Sequence, residues 1–454
     1  MKDIIFVIFG STGDLTSRKL LPAIVKLYQE NEISKNITVI ALGRRHMDTH
    51  GFLDYIEKSL SKKIDRKILE DIVVYHEIQI TERKGYDALK AFIDAHHGPQ
   101  TIELYYLAIG PEMFGDVADH IHTSGIVEKG NDHQKIVFEK PFGHDLESAK
   151  ATNKLLWTYF DEKQIYRIDH YLGKEMIQNI LMVRFANRIF EEVWHNKTIK
   201  SIKIIAKEKD GILTRAGYYD QSGALKDMVQ SHLLQMLSLV AMDTPMSYHS
   251  QDVTDEKVNV LKHVTFDEQS LIFGQYEGYL HEQNIDPQSQ TDTFVFVKAM
   301  VNTPRFKGVP FYLMTGKKLD KKESLVEVEF EATTEQRKWD LPLSTNKLFI
   351  KIAPQDGFGL QLNSKVPGLR NDVRDVELEF CVACEAYGNL PEAYEKLLLD
   401  ITKGHKTLFA RWDEIEYSWA FIDQIKATKK DMVIYQDYDT LKSLIKQHIG
   451  EDIE

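Results

Sequence analysis

The segment Arg167-Ile168-Asp169-His170-Tyr171-Leu172-Gly173-Lys174-Glu175 packs acid, imidazole, phenol and ammonium groups into one short run. Clustered donors of this kind can grip a phosphorylated substrate, and an acid among them can orient a base. A second reactive candidate, His232, lies downstream. Leu225, Met228, Val229, His232, Met236 and Leu239 recur at three- and four-residue steps after Gly223-Ala224. That periodicity predicts a helix with His232 on its inward face. An inward imidazole is either a hydrogen-bonded core residue or a general base, for which its near-neutral pKa suits it. Asp169 is the candidate orienting acid, provided the fold brings the two together.

These groups need elements to hold them. Ile4 to Phe9 is a continuous apolar run rich in β-branched and aromatic residues, the pattern of a fully buried parallel strand. It stops at Gly10-Ser11-Thr12-Gly13-Asp14-Leu15. A helical pattern follows, in which Pro22 should kink the helix or mark a second start. Strand, glycine turn and helix form the setting in which backbone amides meet a pyrophosphate. Gly10 permits the tight turn and Gly13 the close approach. The second strand, residues 37–42, ends at Gly43-Arg44-Arg45. An acid near this point would select NAD through its ribose hydroxyl, whereas two guanidiniums favour the 2′-phosphate of NADP. Further strands are expected at 102–109 and 135–139. The alternation predicts a doubly wound parallel Rossmann sheet. Lys140-Pro141 follows a strand end, where a lysine reaches ligands and where the X-Pro bond admits the cis form.

After about residue 175 the pattern changes. Alternating strands are expected at 199–207, 291–301, 325–332, 347–354 and 376–383, with few helices between the later ones. That predicts a larger α+β domain built on a mainly antiparallel sheet. The expected division is a nucleotide-binding domain at 1–174 and a larger α+β domain at 175–454. The net charge of −12 argues against a nucleic-acid partner. No apolar segment is long enough to span a membrane, and no targeting signal is read at the N-terminus. Cys381 and Cys384 form a lone C-x-x-C with no second ligand pair. No metal site is expected, and 378–384 reads as strand in a protein of the reducing cytoplasm.

Several blocks, in order, resemble the glucose-6-phosphate dehydrogenase family. They are Gly10–Leu15, Glu139-Lys140-Pro141-Phe142-Gly143, Arg167–Glu175 running into Met176–Ile180, and Gly217–Asp220 leading to the His232 helix. Gly308–Tyr312, Thr315–Leu319 and Pro391–Leu398 complete the series. The resemblance implies oxidation of β-D-glucose 6-phosphate at C1 to 6-phosphoglucono-1,5-lactone, with hydride transfer to NADP+, and with NAD+ accepted by some members. It implies His232 as base and Asp169 as its partner. It assigns the substrate phosphate to His170, Tyr171, Lys174 and Lys322, and the sugar hydroxyls to Glu208, Asp227 and Lys317. Lys140 would bridge substrate and cofactor. Gly10, Ser11, Thr12, Gly13, Asp14, Arg18, Lys19, Arg44 and Arg45 would line the cofactor. A homodimer or homotetramer through the second domain's sheet is also implied. The chain departs from the family pattern at Thr16-Ser17 and at Met314. The alternatives are another sugar dehydrogenase with a Rossmann domain, or a silent NADP sensor. A sensor would be expected to have lost His232 or Asp169, and both are present.

Overall fold

The computed structural model describes residues 2–60, 64–96, 98–212, 216–370, 372–385, 390–428 and 430–453. The chain forms two compact units. One comprises Met1–Gly173, His249–Gln251 and Pro391–Glu416; the other comprises Lys174–Tyr248, Asp252–Leu390 and Tyr417–Glu454.

The first unit is built on a six-stranded, wholly parallel sheet. Its strands are β1 (Ile4–Phe9), β2 (Ile37–Gly43), β3 (Val73–Glu77), β4 (Ile102–Leu107), β5 (Gln134–Phe138) and β6 (Ile165–Arg167). They lie in the order β3-β2-β1-β4-β5-β6. The order reverses between β1 and β4, and such a switch point is where doubly wound sheets bind ligands. Every residue of β1 is buried. Ile5, Val7 and Phe9 join Ile40, Leu42 and Tyr105 in one apolar cluster. Alternation then puts Ile4, Phe6 and Ile8, equally buried, on the opposite face. β3 and β6 are short and were not expected. Only pairing with longer neighbours makes strands of them.

Pro22 marks a second helical start. A wide turn at Thr16–Leu20 runs into the helix Leu21–Gln29, with proline in its first positions. Proline fits there because those amides have no intrahelical acceptor.

The second unit carries a ten-stranded sheet. Its strands are β7 (Ile199–Lys207), β8 (Val264–Phe266), β9 (Ile272–Tyr276), β10 (Phe294–Val301), β11 (Pro310–Gly316), β12 (Glu323–Phe330), β13 (Lys347–Ala353), β14 (Gly357–Lys365), β15 (Val373–Cys381) and β16 (Met432–Tyr435). The order is β15-β14-β13-β12-β7-β11-β10-β9-β16, with β8 also paired to β10. All pairings are antiparallel except β7 with β11 and β9 with β16. The antiparallel expectation therefore holds for most of the sheet.

Strand does not continue through Cys384. β15 stops at Cys381, the turn Val382–Glu385 is helical, and the two cysteines are joined in a disulfide. A strand would hold side chains three residues apart on opposite faces, whereas a helical turn brings them together. No helix among the described residues is long and apolar enough to cross a membrane.

Candidate active site

The glycine turn lies at the switch point. Gly10 has φ of 76°, and a Cβ there would lie 2.4 Å from the carbonyl oxygen of Ala108, just beyond β4. Only glycine meets both demands. The Gly13 N–H closes the turn on Gly10 O at 3.0 Å. Ser11 is fully buried, and both its N–H and its hydroxyl donate to Leu42 O, at 3.0 and 2.9 Å. Its side chain therefore braces the turn against β2. Thr12 is half-buried, while Gly13, Asp14, Arg18 and Lys19 are exposed. Arg18 stands 3.9 Å from Asp14, and the Lys19 ammonium pairs with Glu392 at 3.1 Å. Arg44 and Arg45 are exposed at the end of β2. Arg45 lies over the ring of Tyr55, 4.4 Å from its centroid, and its carbonyl accepts from Tyr75 OH at 2.7 Å. This leaves a narrow glycine cradle with cations at the adjacent strand end, which fits a nicotinamide dinucleotide bearing a 2′-phosphate.

Lys140 follows β5 through Glu139, and its bond to Pro141 is cis. The Arg167 block is anchored by its first residue. Arg167 is buried, and its guanidinium donates to Glu162 at 2.6 and 3.0 Å and to Asn153 at 2.6 Å. The Arg167 carbonyl accepts from Ala410 N–H at 3.2 Å, and Ile168 bridges to Phe409. The following turn is tied by Asp169. Its carboxylate accepts from Tyr171 N–H at 3.0 Å, and its carbonyl accepts from Leu172 N–H at 3.0 Å. Asp169 is only 3% exposed, whereas His170 is exposed and its ring packs edge-on to Tyr171 at 5.2 Å. The buried anchor thus fixes a turn that presents an imidazole and a phenol.

The second unit presents the remaining candidates. Lys174 is the residue before the helix Glu175–Phe185. His232 is buried on a wide helical stretch, Leu225–Leu233, that continues as Leu234–Ala241. The predicted inward face is observed for Leu225, Val229, His232, Met236 and Leu239, while Met228 is half-buried. The wide turns alter the register from the regular helix that the periodicity implied. Such turns recur at functional sites.

Asp227 and His232 lie five residues apart on this helix, and the Asp227 carbonyl accepts from Ser231 Oγ at 3.2 Å. The helix start is held by Asp292, which sequence reasoning missed. Its carboxylate accepts from Leu225 N–H at 2.7 Å, and its carbonyl accepts from Ala224 N–H at 2.9 Å. Burial pushes the Asp292 carboxyl up to about 6. Gly223 has φ of 67°, and a Cβ there would lie 2.6 Å from Asp292 Oδ1. The side chain of Tyr218, in the neighbouring block, lies outside the described residues.

Glu208 and Lys317, both predicted for the sugar, form an ion pair within this unit. The Lys317 ammonium also lies 4.8 Å from the centroid of Tyr219. The Lys317 backbone is fixed by Thr293 O and by Tyr435 OH, at 2.9 and 2.6 Å. Lys322 is exposed in the turn before β12.

A doubly wound sheet with this cradle and an inward histidine on the following unit defines a nicotinamide-dependent oxidoreductase. Family models for glucose-6-phosphate dehydrogenase match the chain as a NAD binding domain over residues 7–179 and as a C-terminal domain over 181–444. The chain is 39% identical to the glucose-6-phosphate 1-dehydrogenase of Bacillus subtilis (strain 168), over 93% of this chain and 91% of that one. A solved glucose-6-phosphate dehydrogenase in complex with glucose-6-phosphate superposes with a TM-score of 0.91 at 31% identity. It covers 100% of this chain and 99% of its own. The crystal structure of glucose-6-phosphate 1-dehydrogenase from Mycobacterium avium gives a TM-score of 0.87 at 28% identity, covering 98% and 96%. The chain belongs to the glucose-6-phosphate dehydrogenase family.

Proposed function

We propose that this chain oxidises β-D-glucose 6-phosphate at C1 to 6-phosphoglucono-1,5-lactone with NADP+ as acceptor, the first step of the oxidative pentose phosphate pathway. Family membership across both domains carries this reading. When bound, the nicotinamide takes the hydride from C1.

The chain's own residues do the rest. His232 removes the proton of the C1 hydroxyl, and Asp169 orients the imidazole and stabilises the imidazolium. His170, Tyr171, Lys174 and Lys322 hold the phosphate. Binding energy from that remote group positions C1. Glu208, Asp227 and Lys317 take the sugar hydroxyls, and Lys140 bridges substrate and cofactor. Arg44 and Arg45 set the preference for NADP over NAD. The reading divides the chain at 174/175 and places the enzyme in the cytoplasm.

It also includes a homodimer or homotetramer through the second sheet. One support is an apolar face on β14 and the edge strand β15. Phe358, Leu360 and Leu362 on β14 lie opposite Phe380, Leu378 and Val376 on β15. Leu378 is 58% exposed and Phe380 38%. A monomeric mass by light scattering would remove this part of the proposal.

The reaction is tested by absorbance of reduced nicotinamide with glucose 6-phosphate, run in parallel with NADP+ and NAD+. Reduction that fails with unphosphorylated glucose supports the phosphate grip. A folded protein that binds NADP+ yet reduces neither cofactor overturns the reading.

A further inference from the structure

Two sequence blocks have residues with no part in the reaction as described: the glutamate before Lys140, and Pro391–Leu398. Within the first unit they converge. Glu139 is the first residue beyond β5, at the carboxyl end of the parallel sheet. Tyr106, near the end of β4, donates its hydroxyl to Glu139 Oε1. Tyr394, on the helix Ala393–Lys403, donates to the same oxygen at 3.0 Å. The N–H of Lys140 also donates to this carboxylate, and Asp169 lies near enough for its charge to act on it.

The helix that supplies Tyr394 is itself clamped to the first unit. Glu392 pairs with Lys19 at 3.1 Å and Glu395 with Lys26 at 2.7 Å. At Gly173, a Cβ would come within 2.7 Å of Ala393 O, so the reactive block closes on this helix. Among the described residues, Tyr106 from β4 and Tyr394 from the returning helix face Glu139 with their hydroxyls, Lys140 faces it with its backbone N–H, and Asp169 acts on it through its charge.

We infer that Glu139 is a positioning residue: its carboxylate, fixed by Tyr106 and Tyr394, holds the Lys140 turn where substrate and cofactor meet. The inference rests on the role proposed for Lys140. Burial, reinforced by Asp169, raises the Glu139 carboxyl to about 7, against the pull of its three donors. The ionised form accepts from all three donors, whereas the protonated form must place a proton among them. The hold on Lys140 is therefore strongest above that value and slackens below it.

The test compares KM for glucose 6-phosphate in Glu139→Gln and wild type across pH. Ionisations common to both proteins, the substrate phosphate's among them, cancel in the ratio. The ratio should be roughly 5- to 20-fold at about pH 8.5 and approach one at about pH 5.5, with kcat changed less than about threefold. Tyr394→Phe keeps the carboxylate but removes one donor, so its pH-dependent gain in affinity should move to higher pH. A ratio that does not vary with pH, or a Tyr394→Phe profile that does not move, overturns the inference. Lys140→Ala separates the two levels. If it leaves KM unchanged, the role of Lys140 fails and this inference with it; if KM rises while the Glu139→Gln ratio stays flat, only the inference fails.

Discussion

Replacing Gly10 by alanine tests whether the first turn is the dinucleotide cradle. Two costs follow from the geometry. An L-residue at φ of 76° costs about 1–2 kcal/mol. The new Cβ would also sit 2.4 Å from Ala108 O and 2.9 Å from Ile109 Cγ2. It must retreat by about 1 Å to reach ordinary contact. The first obstacle is backbone and cannot swing aside, so overpacking adds about 1–3 kcal/mol. The sum is about 2–5 kcal/mol, divided between loss of stability and displacement of the amides proposed to face the pyrophosphate. Thermal unfolding should shift down by several degrees, at about 2–4 °C per kcal/mol for a unit of this size. NADP+ affinity, measured by titration calorimetry on the folded variant, should weaken at least about tenfold, equivalent to about 1.4 kcal/mol. Gly217→Ala is the control, because nothing lies within 4 Å of a Cβ at that position. A Gly10→Ala protein that melts with wild type and binds NADP+ within about twofold would refute both the steric argument and the placement of the cofactor.

His232→Asn should lower kcat by roughly two to four orders of magnitude with little change in KM; steady-state rates matching wild type would eliminate it as the base. Replacing Arg44 and Arg45 together by alanine should cut the NADP+ over NAD+ preference roughly 10- to 100-fold, since each guanidinium contributes a charge-assisted hydrogen bond, and an unchanged ratio of kcat/KM values would place the 2′-phosphate elsewhere. Asp292 binds its proton more tightly in the folded state, so stability should fall as pH rises from the ordinary aspartate range through about 6. The ionised group costs about 3 kcal/mol above that value. Asp292→Asn keeps an acceptor for Leu225 N–H without the charge, so its denaturation midpoint should gain on wild type across that window; parallel pH curves would contradict this.

By itself the sequence determined whatever depends on local order. The buried β1 strand, the glycine turn, the arginines after β2 and the inward face of the His232 helix were all legible, because period and turn chemistry act over a few residues. So was the family, because its blocks recur in order along the chain. Tertiary structure decided what depends on neighbours distant in sequence. β3, β6 and β16 are three to five residues long and exist as strands only through pairing. Ser11, read as a cofactor contact, spends its hydroxyl on Leu42 O, and Lys19 pairs with Glu392, more than 370 residues away. The Cys381–Cys384 bond required the chain to leave the strand at Cys381. The environment of Glu139 is made by side chains from β4 and from a helix that returns near the end of the chain. Such encounters leave no period in the sequence, since long-range contacts depend on where the chain returns in space rather than on the order of residues along it.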